Sequence, residues 1–145
     1  MNNFYVSFVV AICIGLTAPI ARANVTIDDS NCMQYLGGGG FGDYDCYEDH
    51  AKSLDIDNKR LVNQIVSSSG IKKKIKTDIY RYVKGENEAV KSCGLAPTLA
   101  LDWAIVTPQK SHIDMYDVME ARCHYSIRKR ENEFLRDLYS IKTDN

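Results

Sequence analysis

Cys46-Tyr47-Glu48-Asp49-His50-Ala51-Lys52-Ser53-Leu54-Asp55-Ile56-Asp57-Asn58-Lys59-Arg60-Leu61-Val62-Asn63-Gln64-Ile65 is the stretch that decides the fold. Cys46, His50, Leu54, Leu61 and Ile65 fall mostly on one face of a helix, with Lys52, Asp55, Lys59 and Asn63 off it. A single apolar stripe with a polar back lets a helix bury one side and hydrate the other. Asp43-Tyr44-Asp45 offers capping residues just ahead, and Ser67-Ser68-Ser69-Gly70 ends the run.

The following segment repeats the pattern. Ile71, Ile75, Ile79 and Tyr82 share a face, while Lys72, Lys73, Lys74, Lys76 and Arg81 take the other. Gly85 is where this helix could break before the stretch from Glu86 to Cys93, and Gly94 with Pro97 closes it. Leu99, Leu101, Trp103, Ile105 and Val106 form a short, strongly apolar stretch whose alternation also suits a strand. Helices on both sides favour a short buried helix. Thr107-Pro108 then opens the last element, since proline is tolerated in a first turn. Met115, Met119, Cys123 and Ile127 make a four-residue ladder there. Phe134, Leu135 and Leu138 continue it after the charged break Arg128-Lys129-Arg130-Glu131. No two adjacent segments alternate, and no Asn-Gly or Asp-Gly turn is present to make a hairpin. The expected architecture is all-α, three to four helices.

Upstream of the opening stretch, Asn24 to Asp45 has no sustained period and centres on Gly37-Gly38-Gly39-Gly40-Phe41-Gly42, which reads as a loop. Ahead of that, Phe4 to Ile20 is an almost unbroken apolar run followed by Ala21-Arg22-Ala23. An A-x-A site after such a run reads as a secretory signal peptide over residues 1–23, with one mature domain over 24–145 and no membrane span after cleavage. Ile12 before Cys13 argues against lipidation, which needs a small residue there.

Export changes the meaning of the cysteines. Cys13 leaves with the signal, and Cys32, Cys46, Cys93 and Cys123 remain, an even number in an oxidising compartment. None is spaced as a C-x2-C zinc knuckle, so two disulfides are expected, with all three pairings open. The chain of 145 residues argues for one domain, periplasmic or secreted.

No motif for chemistry emerges. The glycine run neither follows a strand nor leads into Gly-Lys-Ser/Thr, so it is not a phosphate loop. His50, His112 and His124 are too scattered for a metal motif, and Glu120 with His124 reads as a helix-surface pair. There is no Gly-x-Ser-x-Gly, and the acids around Asp43 to Asp57 are explained by the positive end of a helix dipole. No catalytic residue, cofactor or metal is assigned. With eighteen basic and nineteen acidic residues, binding to nucleic acid by bulk charge is excluded.

That near-neutral total hides a polarity. Asp43 to Asp57 carries six acids against Lys52, and Lys72 to Lys84 carries six bases against Asp78. Two such helices can attract each other through their solvent faces, or present a bipolar surface that steers a charged protein partner. Phe41, Asp43 and Tyr44, in the loop, are the candidate partner-binding residues, because aromatic side chains anchor protein interfaces.

The pair Cys32 and Cys46 leading into Asp45-Cys46-Tyr47-Glu48-Asp49-His50-Ala51-Lys52-Ser53-Leu54-Asp55-Ile56-Asp57-Asn58 resembles the LprI-like lysozyme-inhibitor N-terminal domain. Members of that family are small, largely helical proteins of the bacterial envelope. Ala51 and Asp55 match its first helix, and Met119-Glu120-Ala121-Arg122-Cys123 looks like its late Arg-Cys helix. Asn58 is followed by Lys59 rather than repeating the family's Leu-Asn pair, and Val62 stands where an aromatic is usual. The resemblance implies a non-enzymatic protein-binding module, an inhibitor or immunity protein acting on a secreted, lysozyme-like hydrolase or toxin. The alternatives are a small secreted enzyme or effector acting on the cell wall through the acidic cluster, and an envelope structural or ligand-binding helical domain.

Overall fold

A computed structural model describes Cys32 and residues 41–103 and 113–143 of the chain. Four helices make up this part: α1 (Phe41–Val66), α2 (Lys73–Ser92), the short α3 (Leu95–Trp103) and α4 (Met115–Thr143). The fold is all-α, stapled by Cys32–Cys46 and Cys93–Cys123. These bridges close separations of 14 and 30 residues, each removing loop entropy from the unfolded chain worth about 3–4 kcal/mol. No helix among the described residues is long and apolar enough to cross a membrane. The expected signal segment, 1–23, and Gly37 to Gly40 lie outside the described residues.

Local chemistry sets the helix ends. At the C-terminus of α1 the Ser68 hydroxyl donates to the carbonyls of Gln64 and Ile65, and the chain turns at Gly70, whose φ of 82° is the left-handed conformation glycine adopts freely. At the N-terminus of α4, Asp114 Oδ1 accepts from the backbone N–H groups of Tyr116 (2.8 Å) and Asp117 (3.1 Å). Asp117 Oδ2 accepts in return from Asp114 N (3.1 Å), a reciprocal cap.

The long helices pack in a definite sense. Glu48 meets His124, Asn58 meets Glu131 and Asp57 meets Arg136, pairs 76, 73 and 79 positions apart. The offset stays nearly constant along α1, so α1 and α4 run parallel. From Glu86 through Asn87 to Cys93, the partners on α4 fall back from Arg130 through Arg128 to Cys123, so α2 runs antiparallel to α4.

The α1–α4 seam follows an alternation of three and four. Tyr47, Ala51, Leu54, Asn58, Leu61 and Ile65 are buried on α1. On α4, Ala121, Tyr125, Asn132 and Leu135 are buried, and Val118, Arg128 and Tyr139 are half-buried. This is the spacing of a two-helix coil. Its core divides in two. One cluster gathers Cys32, Tyr47, Ala51 and Leu54 against Ala121 and Tyr125; the other gathers Leu61, Val62, Ile65, Val66 and Ile79 around Leu135. On the flank facing α2, Tyr82 lies against Phe134 with ring centroids 4.7 Å apart. Burial, and then the charges of Glu86 and Glu131, push the Tyr82 phenol up to about 12.

Between the clusters sits a polar layer. Asn58, Glu131 and Asn132 are all buried. Asn58 Nδ2 donates to Glu131 Oε2 (3.0 Å) and to the carbonyl of Arg128 (3.1 Å), while Asn132 Nδ2 donates to Asn58 Oδ1 (2.7 Å) and Asp57 Oδ2 (2.9 Å). Arg128 Nη1 pairs with Glu131 at 2.8 Å, and Arg136 donates to Asn132 Oδ1 (2.7 Å) and Asp57 Oδ2 (2.8 Å). Every buried polar side chain here has partners, which the low dielectric demands.

Several sequence expectations need correction. α1 begins at Phe41, not Cys46, so Phe41, Gly42 and Asp43-Tyr44-Asp45 form its first turns rather than a loop. Asp43, in that first turn, complements the positive end of the helix dipole. α2 runs unbroken through Gly85, and α3 starts at Leu95, with Pro97 in its first turn. Leu99, expected to be buried, is exposed, as is Leu95. Residues 104–112, including the expected start at Thr107-Pro108, lie outside the described residues. The Met115–Met119 ladder is not a core face. Both methionines are exposed, because steps of four residues drift around a helix whereas the α1 seam follows alternating threes and fours. Half-buried Arg128 and buried Glu131 are not a break in the pattern but the middle of it.

Candidate functional site

Parallel packing brings the N-terminal ends of α1 and α4 together. Tyr44 and Glu48 reach this end from α1, and Asp117, Glu120 and His124 from α4. Glu48 Oε1 stands 3.1 Å from His124 Nδ1, and Glu120 Oε1 stands 3.8 Å from His124 Nε2. The expected Glu120–His124 surface pair is therefore one side of a bridge that also ties α4 to α1. The imidazole is held between two carboxylates.

Tyr44 is half-buried against the first core cluster. Burial, followed by the negative charges of Glu48, Asp117, Glu120 and Asp45, raises its phenol above the ordinary tyrosine value. Four carboxylates thus act on one phenol. Of the three candidate partner-binding residues, Tyr44 comes together with α4's acids at this end, and Asp43 precedes it in the first turn of α1. Phe41 begins the same helix, and its side chain is outside the described residues. The α2–α3 joint lies beside Glu120, since a Cβ placed on Gly94 would lie 3.4 Å from Glu120 Oε1.

The first two turns of α4 add apolar surface. Met115 (59% exposed), Tyr116 (38%) and Met119 (50%) face solvent on the turns that carry Asp117 and Glu120. Methionine and tyrosine are enriched where proteins bind other proteins. Sequence reasoning missed these residues as a surface because it assigned the methionines to the core.

The acids of the first helix are largely engaged. Asp55 pairs with Lys59 and Arg128, Asp57 with Arg60 and Arg136, and Glu48 and Asp49 with Lys52. Burial alone would raise the Asp57 carboxyl. The hydrogen bonds from Asn132 and Arg60 and the charges of Arg60 and Arg136 outweigh it and hold the group below its usual value. The bases that balance these acids therefore come from α4 and from α1 itself, while Lys74 and Arg81 of α2 pair with Asp78 on their own helix. Glu48, Asp117 and Glu120 bring further negative charge to the shared N-terminal end, next to Tyr44.

A second grouping lies on the other side of Tyr47. The Nδ1 or Nε2 of His50 and the sulfurs of Cys32 and Cys46 lie within 4.8 Å of one another. His50 packs its ring against Tyr125 at 5.9 Å, and the buried Tyr125 hydroxyl has no hydrogen-bond partner among the described residues. His112 lies outside the described residues. No protein-family model, curated protein or solved structure matches the chain.

Proposed function

We propose that this chain is an exported, non-enzymatic protein-binding module, an inhibitor or immunity protein that neutralises a lysozyme-like hydrolase or another envelope-targeting toxin. The observation that carries the reading is the exposed Met115, Tyr116 and Met119 set among Asp117, Glu120, Glu48, Asp45 and Asp43 around Tyr44. An apolar centre with an acidic rim suits a basic partner: the apolar side chains contribute affinity, and the rim steers encounter and rejects acidic proteins. The scaffold beneath it is held by two disulfides and by paired helices, so little conformational entropy remains to be lost on binding. The family resemblance of Asp45 to Asn58 and Met119 to Cys123 points the same way.

The test is peptidoglycan solubilisation by a basic lysozyme-type hydrolase in the presence of increasing amounts of the purified chain. Dose-dependent protection is expected. A Tyr44→Ala, Met119→Ser variant should need roughly 30-fold more protein for the same protection, the loss of about 2 kcal/mol typical of an anchor residue. Replacement of Phe41, Asp43 and Tyr44 by alanine should also weaken binding. Solubilisation of peptidoglycan by the chain alone would establish the enzyme reading instead, and absence of protection would remove the lysozyme-like partner.

A further inference from the structure

We propose that reduction of Cys32–Cys46 converts this corner of the fold into a binding site for a thiophilic divalent cation of the zinc class, with Cys32, Cys46 and His50 as its protein ligands. Among the described residues, this is the group of cysteine, histidine and carboxylate side chains whose ligand atoms come together. In sequence the trio is invisible: Cys46 and His50 are one helical turn apart, and Cys32 stands 14 positions before Cys46.

The geometry fits chelation. Residues four apart on a helix project on the same side, so Cys46 and His50 form a two-point grip on α1. Cys32 closes the third position, its Cα 5.5 Å from that of Cys46. Ligand atoms on a tetrahedral zinc ion are separated by roughly 3.5–3.8 Å, given bond lengths of about 2.0 Å to nitrogen and 2.3 Å to sulfur. Donors already within 4.8 Å of one another reach that arrangement by small side-chain rotations once the S–S bond is gone.

The charge fits as well. Cys32 is fully buried, while Cys46 and His50 are half-buried. Two thiolates alone would be costly there, and a lone dication equally so. Together with a neutral imidazole they make a group of net charge zero. The fourth position is left for water, on the half-exposed side. Tyr125, whose ring adjoins that of His50, supplies a buried hydroxyl that has no hydrogen-bond partner among the described residues. Among the described residues, Cys93–Cys123, the other bridge, is not part of such a group.

The chemistry balances in two steps. A dithiol reductant gives up two electrons and two protons, its own sulfurs joining as a disulfide while Cys32 and Cys46 become thiols. The cation then displaces both thiol protons, so uptake is favoured as pH rises and is reversed by reoxidation. The disulfide and metal forms exclude each other, and the site reports the redox state of its surroundings.

The experiment uses the full chain, reduced with a water-soluble phosphine, freed of reductant and titrated anaerobically with Co2+ as the spectroscopic stand-in for zinc. Thiolate-to-cobalt charge-transfer absorption saturating at one equivalent is expected, with helical circular dichroism retained. The oxidised chain should show none. His50→Ala, checked for native helicity when oxidised, should weaken Co2+ binding roughly tenfold or more. Cys32→Ser, Cys46→Ser should abolish it. Equal affinity of the reduced wild type and His50→Ala, a persisting signal in the double serine variant, or loss of helicity on reduction would each overturn the proposal.

Discussion

Replacing Asn58 by leucine should destabilise the protein, although it would complete an apolar seam. Every other seam position of α1, from Tyr47 to Ile65, is hydrophobic, and binary patterning alone would welcome the change. The neighbours argue otherwise. Asn58 gives Glu131 Oε2 one of its donors and gives Asn132 one of its acceptors, and both partners are buried. Two buried polar groups that each lose a partner cost roughly 1–3 kcal/mol apiece, so Asn58→Ala should lose about 2–6 kcal/mol. A leucine regains roughly 1.5–3 kcal/mol by burial, leaving Asn58→Leu about 1–3 kcal/mol below wild type. Urea unfolding of the oxidised protein, followed by circular dichroism, measures both. A cycle with Asn132→Ala isolates their coupling, expected at about 0.5–3 kcal/mol. Asn58→Leu as stable as wild type, with zero coupling, would refute the claim that the layer acts as a connected unit.

Two glycines offer a paired check. A Cβ added at Gly70 or at Gly85 meets nothing within 4 Å, so sterics with neighbours do not distinguish them. Gly70 has φ +82°, and Gly70→Ala should cost about 1–2 kcal/mol of backbone strain, while Gly85→Ala, inside α2, should gain about 1 kcal/mol. Thermal unfolding midpoints moving in the same direction would contradict this. For pH, the depressed Asp57 carboxyl contributes stability that is present in full above its unfolded value of 3.8 and fades as pH falls through the lower folded value. The advantage of wild type over Asp57→Asn should therefore shrink below about pH 4. A gap in urea midpoints that stays constant down to acid pH would rule out the linkage.

Much of this was legible beforehand for physical reasons. Stripes such as Leu54, Leu61 and Ile65 announce helices because burial is periodic, and the even count of cysteines after the apolar N-terminal run announces bridges. The pairing was not legible, since it depends on which helices lie side by side. Arg128 and Glu131 looked like a hydrated break because charge normally means surface. Here each is neutralised by the other and by Asn58, Asn87 and Asp55 from two neighbouring helices, contacts that no local pattern encodes. A seam counted in alternating threes and fours, Val118-Ala121-Tyr125-Arg128-Asn132-Leu135, would have found them and freed Met115 and Met119 for the surface. At the candidate site, Asp43 and Tyr44 were named from sequence. Glu48, Asp117, Glu120 and His124 join them only because the two helices are parallel, and His50 joins the disulfide for a similarly non-local reason.

Parallel neighbours also govern how the chain reaches this state. Helical bundles usually form quickly because consecutive helices fold back on one another through short turns. Here the principal interface joins residues more than seventy positions apart, about half of the 145-residue chain. Closing so long a loop, rather than one of about ten residues, adds roughly 2 kcal/mol of entropy to the barrier before any α1–α4 contact repays it. α1 leaves the ribosome first and must wait, its apolar stripe uncovered, until its mate is complete. The step expected to limit folding is thus the meeting of α1 with α4, the first and last long helices among the described residues.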